Sequence, residues 1–213
     1  MKRLVLRLFD IITWPFAKCG WPAFCQRCSI LWRNLYSAYI RHQFRQCGEL
    51  KLGSTQLHLF GLHYMEFGDQ VEMHFNARVQ CIDYFQPTDQ HFKPRLILHD
   101  HVVVQAMCHI GCIDRVEIGE WSTMGARCYI TDHTHGGTSR EELLLPPRKR
   151  PLVSRGPVKI GKYVHLGEGV CVMPGVTIGD YSVIGAGAVV TRDIPPFCVA
   201  VGSPAKVIKQ ITQ

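Results

Sequence analysis

No window of the 213-residue chain approaches the run of about 20 uninterrupted apolar residues that a membrane-spanning helix requires. The expectation is a chain that does not cross a bilayer. A convincing cleavable signal is missing too: Met1-Lys2-Arg3 leads into an apolar stretch to Phe16, but Arg7 and Asp10 interrupt it. Charged residues are scarce at 19% beside 46% hydrophobic, which excludes a disordered polyelectrolyte and fits one main globular domain. Cys25 and Cys28 form the only CxxC, and no second CxxC or CxxH follows at zinc-site spacing, so neither a metal knuckle nor a redox pair is expected. No nucleic-acid-reading motif accompanies the net charge of +7, so no nucleic-acid partner is expected; an anionic surface or a phosphorylated ligand is left to match that charge.

What the chain has in quantity is a period. Ile160, Leu166, Val172, Ile178, Ile184 and Val190 recur every six residues without a slip, heading the blocks IGKYVH, LGEGVC, VMPGVT, IGDYSV, IGAGAV and VTRDIP. An ordinary antiparallel β protein would show alternation of period two instead. A step of six, with Gly and Asp supplying turn backbone, predicts short extended faces that turn a corner every six residues. Three faces close a triangular coil, with Ile178 above Ile160, Ile184 above Leu166 and Val190 above Val172. The rhythm recurs at Ile118, Met124 and Ile130, at Leu98, Val104 and Ile110, and more loosely at Phe67, Met73 and Val79, with a slip of two between Ile110 and Ile118. Several of the ten cysteines fall inside these blocks and read as reduced thiols of a cytoplasmic protein.

Residues 1–47 lack the period, and Leu31, Leu35, Ala38 and Tyr39 have helical spacing with Arg33, Arg41, His42 and Arg45 on other positions. This predicts a helical N-terminal cap over the first coil, whose open edge would otherwise invite aggregation. A second reading of the same basic, amphipathic segment lays it on an anionic bilayer, at the inner face of the membrane. At the other end, Pro195-Pro196 and Gly202-Ser203-Pro204 end the domain of residues 48–204, and a short helix is expected over residues 205–213, carrying Lys206 and Lys209.

The only large interruption read from the period lies between Ile130 and Ile160, where 30 residues stand in place of six and a loop over about 131–157 is extruded. It opens with Thr131-Asp132-His133-Thr134-His135-Gly136 and closes with a stiff basic run, Pro146-Pro147-Arg148-Lys149-Arg150-Pro151. Imidazole suits general-base work near neutral pH, and a histidine standing where regular structure stops is well placed for it.

The run PVKIGKYVHLGEGVCVMPGVTIGDYSVIGAGAVVTRDIPPFCVAVGSPAKVIK resembles the hexapeptide-repeat O-acetyltransferases of the galactoside, maltose and nodulation-factor type, and ITDHTHG resembles their lipopolysaccharide and capsule branch. The resemblance covers about residues 48–210. It implies an all-β, left-handed parallel β-helix, a homotrimer with sites between subunits, acetyl-CoA as acyl donor and a sugar or glycolipid hydroxyl as acceptor. It carries the catalytic role to His135, with His133 as the alternative, and an amide for the acetyl carbonyl to Gln105, which is longer than the family's usual asparagine. It carries acetyl-CoA contacts to Gly167, Glu168, Ala186, Thr191 and Arg192 and to the phosphate-facing Lys206 and Lys209, and it implies no metal. Three other readings share this fold. One is N-acetylation of a nucleotide-linked amino sugar, another a γ-type carbonic anhydrase using His133, His135 and His165, and the third a β-helix that only binds partners.

Overall fold

A computed structural model describes residues 21–137 and 139–211, so the part of the expected cap that precedes Trp21 lies outside them. From Gln46 onward the chain winds into six triangular coils. Face one stacks Gln46–Cys47, Met65–Phe67, Arg95–Leu98, Arg115–Ile118, Val158–Ile160 and Thr177–Ile178. Face two stacks Leu50–Leu52, Val71–Met73, Val103–Val104, Thr123–Met124, His165–Leu166 and Val183–Ile184, then Cys198–Val201 and Lys206–Gln210. Face three stacks His58–Phe60, Arg78–Cys81, His109–Cys112, Tyr129–Thr131, Cys171–Val172 and Val189–Val190. Every neighbour in these stacks is parallel except the last strand of face two.

The interior is made of the residues that head the blocks. Phe67, Leu98, Ile118, Ile160 and Ile178 lie in register on face one, Met73, Val104, Met124, Leu166 and Ile184 on face two, and Val79, Ile110, Ile130, Val172 and Val190 on face three. All of them are buried. The fifth residue of each block also points inward, and where it is serine its hydroxyl is fully used: Ser182 Oγ donates to the Pro195 carbonyl at 2.9 Å and accepts from Cys198 N at 3.3 Å.

The corners depart from expectation. Between faces one and two the left-handed position is filled by Trp121, Tyr163, Tyr181 and Phe197, at φ of 55–58°, rather than by glycine. Such a residue costs about 1–2 kcal/mol in this region. Here each is offset by a hydrogen bond to the coil below, as from Tyr181 N to Lys162 O at 2.9 Å, and by ring stacking, 5.1 Å between Tyr163 and Tyr181 and 4.9 Å between Tyr181 and Phe197.

A helix, α1, runs from Trp21 to Arg41 against the first coil. Leu31, Leu35, Ala38 and Tyr39 lie on its outer side, and Arg33, Tyr36, Ser37 and Ile40 meet the coil. The first coil has unpaired edge carbonyls, so the covering helix needs donors more than alkyl groups. Ser37 Oγ donates to Leu50 O at 2.5 Å and Arg33 Nη1 to Gly53 O at 2.7 Å. No helix among the described residues is long and apolar enough to cross a membrane.

The expected C-terminal helix is a strand. Lys206–Gln210 pairs antiparallel with Cys198–Val201 after the turn at Gly202–Pro204. The last coil exposes a row of backbone edge groups, and Val207, Ile208 and Ile211 favour extended backbone, so the tail pairs with that edge. Lys206 and Lys209 are therefore carried on this terminal strand and are exposed.

Ile118 is fully buried in the middle of the face-one ladder. Replacing it with alanine should cost about 2–5 kcal/mol of unfolding free energy. Denaturant melts followed by circular dichroism check this, and a loss under about 1 kcal/mol would contradict the stacked-core account.

Candidate active site

Three consecutive corners between faces three and one break the rule of six, and together they build one site. The first break, missed in the period, holds 13 extra residues between Val79 and Leu98 and forms a hairpin, Tyr84–Phe85 with Gln90–His91. The second is the slip of two, at Ile113-Asp114. The third is the expected loop, whose base is a hairpin of His133–His135 with Leu152–Ser154. Beyond that base lies a five-residue helix, α2 (Arg140–Leu144), capped by the Ser139 hydroxyl.

Asp132 ties the second break to the third. Its side chain is fully buried and accepts from Ile113 N at 3.0 Å and Asp114 N at 2.8 Å, so the slipped corner serves as its binding cradle. It also faces His133 Nδ1 at 2.8 Å. A carboxylate can only accept, so Nδ1 is the donor and the ring is oriented with Nε2 away from Asp132. Thr131 Oγ1 lies 3.1 Å from the same Nδ1 and donates to the His133 carbonyl at 3.2 Å, so the ring is held at two points. The space below it belongs to Gly111, where an added Cβ would come within 3.2 Å of His133 Cε1. His133 retains 8% of its surface exposure.

His135 lies two residues on, exposed at the mouth of the site, with its ring centre 6.4 Å from that of His133. Phe85 of the first hairpin meets it edge to face at 5.7 Å. Gln90 locks the two hairpins together: its Oε1 accepts from Leu152 N at 2.8 Å and its Nε2 donates to Leu152 O at 3.1 Å. Leu152 is the residue opposite His135 in the antiparallel ladder, so the amide acts as a third strand beside the histidine. Burial, and then the neighbouring His133, push the His135 pKa below its ordinary value of 6.5. His109 is shifted down as well, by burial, then by Arg78 and His133. Neutral imidazoles are therefore the resting forms at pH 7.

These groups line a cleft of about 550 Å³ on the outer side of face three, with Arg78, Gln80, His109, Tyr129, His133 and His135 among its walls. Gln105 is not one of them: it lies at the corner between faces two and three, and the amide in the cleft is Gln80. His109 and Tyr129 escaped the sequence reading because no local motif marks them. Register alone places them, one above the other on outward positions of adjacent coils. His165 lies on face two, away from His133 and His135, so the three histidines do not converge within the chain. Gly167, Glu168 and Ala186 stack on the corner between faces two and three, with Ala186 N 2.5 Å from where a Cβ on Gly167 would stand. Glu168 is paired with Arg127. Thr191 and Arg192 sit at the next corner, after Val190, and are exposed. On the Gly167 corner, Gly169 and Gly187 have open space where side chains would be, so the backbone edge of the upper coils is uncovered.

Comparison with known proteins agrees with this architecture. Residues 157–192 match the family model described as bacterial transferase hexapeptide (six repeats). WbbJ of Escherichia coli (strain K12), provisionally named a lipopolysaccharide biosynthesis O-acetyl transferase, is 40% identical over 119 residues, 54% of this chain and 60% of WbbJ. The chain therefore spans less than two thirds of this curated relative. A galactoside acetyltransferase solved with coenzyme A is 27% identical, with a TM-score of 0.51 over 82% of this chain and 69% of its own. The N-acyltransferase AntD of Bacillus cereus, solved with dTDP-4-amino-4,6-dideoxyglucose and coenzyme A, shares the fold at a TM-score of 0.67 and 16% identity, over 83% of this chain and 89% of its own. The fold is the left-handed β-helix of hexapeptide-repeat proteins.

The downward shift of His135 has a direct check. Its ring-proton NMR titration should show a midpoint below 6.5, because the folded site favours the neutral ring. This group's contribution to stability is full above its unfolded pKa and is lost as pH falls through the folded value. A midpoint at or above 6.5 would remove the claim.

Proposed function

We propose that this chain, whose residues 157–192 carry the bacterial transferase hexapeptide repeat, is an acetyl-CoA-dependent O-acetyltransferase acting on a sugar hydroxyl in surface-polysaccharide or lipopolysaccharide biosynthesis. The observation that carries the reading is the exposed, neutral-favouring His135 at the mouth of a histidine-lined cleft, on a transferase-type β-helix. WbbJ and the galactoside acetyltransferase support the same chemistry.

In this reading His135 takes the proton of the sugar hydroxyl as its oxygen attacks the thioester carbon. The C–S bond breaks, the acetyl group stays on the sugar oxygen, and the departing thiolate takes the proton back from His135. His133 is the less accessible ring, and with Asp132 it positions the hairpin that carries His135. The donor lies over the upper coils, where the open corner at Gly169 and Gly187 gives pantetheine amides a backbone edge to approach. Gly167, Glu168, Ala186, Thr191 and Arg192 would flank it, and Lys206 and Lys209 would meet its phosphates from the terminal strand.

The reading also includes a homotrimer, in which a neighbouring chain completes the donor site, and peripheral contact with an anionic bilayer through α1. Leu31, Trp32, Leu35 and Tyr39 are exposed on that helix beside a basic segment, the composition that an interfacial helix needs. Light scattering should give a particle of three 24.2 kDa chains that floats with anionic vesicles and not with neutral ones. A monomer, or indifference to vesicle charge, would remove the corresponding part.

His135→Ala should lower kcat for acetyl transfer by about 10²–10⁴-fold while leaving the acetyl-CoA KM within a few fold. If His133→Ala lost that much and His135→Ala did not, the base would be His133. Acetyl-CoA at 100 times its Kd should stabilise the fold by about 2.7 kcal/mol. The absence of any stabilisation would favour a non-catalytic β-helix.

A further inference from the structure

The three outer faces differ in how their cations are matched. On face one, Arg45 and Arg95 reach Glu66 at 3.2 and 2.9 Å, and Arg115 reaches Glu117 at 2.8 Å. On face two, His74 meets Glu72 at 2.7 Å, and at the following corner Arg127 is paired with Glu168. Face three is built otherwise. Its outward column runs His58, Arg78, His109, Tyr129 in unbroken register, and no carboxylate stands in it. Among the described residues Arg78 has no ion-pair partner.

Below the histidine cleft lies a second one of about 480 Å³, to which His58, Asn76 and Met107 contribute. The two share Arg78, Gln80 and His109, so they form one continuous groove along face three. Neither is lined by a single Asp or Glu, and every polar side chain that lines them, a guanidinium among imidazoles, amides and hydroxyls, has a hydrogen-bond donor. An unmatched guanidinium with neighbouring imidazoles, amides and no competing acid is the chemistry that recognises an oxyanion of the phosphate class. His109 adds no competing charge, since burial and Arg78 keep it neutral at pH 7.

Position fits an acceptor. Arg78 is on the second coil, and Thr131, from which the histidine hairpin leaves, is on the fourth. At the strand spacing of about 4.8 Å the two levels are about 10 Å apart. An anion held at Arg78 thus lies below the point at which His135 meets a hydroxyl, leaving the sugar ring to bridge them.

We infer that the lower part of this groove, centred on Arg78, is an acceptor subsite for a phosphate or pyrophosphate group attached to the sugar. That it serves the acceptor rests on the acetyl-transfer reading, whereas binding of the anion does not. The test is run on the full chain without acetyl-CoA. The ring protons of His58 and His109 are followed by NMR as glucose, glucose 1-phosphate or uridine diphosphate glucose is added. Glucose 1-phosphate should shift them saturably where glucose does not, and Arg78→Ala should weaken that binding at least 10-fold with an unchanged thermal midpoint, Arg78→Lys less so. Tighter binding of uridine diphosphate glucose, equally dependent on Arg78, would identify the pyrophosphate as the preferred group. Equal response to glucose and its phosphate, or indifference to Arg78→Ala, would overturn the subsite. Absence of acetyl transfer in a separate assay would count against the enzymatic reading and leave the binding result standing.

Discussion

Each inward residue in the coil must lie on the inward residue one coil below. A slip of one position would turn an aliphatic side chain to water and push a polar one into the prism, at a cost of about 1.5–3 kcal/mol for each large side chain exposed. Extra residues can therefore enter only at corners, where the backbone already leaves the stack. The three departures that build the site occur at the same corner of successive coils, between faces three and one, and so emerge on one side of the molecule. That coincidence is how a repetitive scaffold acquires a site.

The six-residue rhythm was plain in the sequence because the core itself is periodic, and from Ile160 to Val190 every block head occupies the stacked position expected of it. The histidine loop was legible for the same reason, as a failure of that rhythm. The first hairpin was not recognised, although the distance from Val79 to Leu98 contained it; the looser early blocks hid a gap that the tight later ones would have exposed. The slip of two could be counted but not interpreted, because its meaning lies in the buried Asp132 that bonds the freed amides. The C-terminal end misled, and the helix at the N-terminal end meets its coil through polar groups, for one reason. The edges of a β-helix demand hydrogen-bond partners, so Arg33 and Ser37 rather than leucines face the first coil, and the tail pairs as a strand over the last.

Two kinds of order meet at the cleft. Register supplies Arg78, His109 and Tyr129 at fixed spacing on a rigid face, and the corner hairpins supply His133 and His135 held by Asp132, Gln90 and Phe85. Rigid placement is what acyl transfer between two bound substrates needs, since orientation alone can lower its barrier by about 7–11 kcal/mol. The hexapeptide match covers the upper coils, where the donor is proposed to lie, and the histidine hairpin and Arg78 fall outside it. In the proposed reading, donor recognition falls to the repeat, and acceptor recognition to the register of face three together with the corner hairpins above it.

The most direct test of that division is a crystal structure of the protein with coenzyme A. The account predicts pantetheine along the open corner at Gly169 and Gly187, with its thiol reaching the cleft about 3–4 Å from a ring nitrogen of His135, in reach of a near-attack geometry. A thiol bound over face one, or on face two remote from both hairpins, would contradict it.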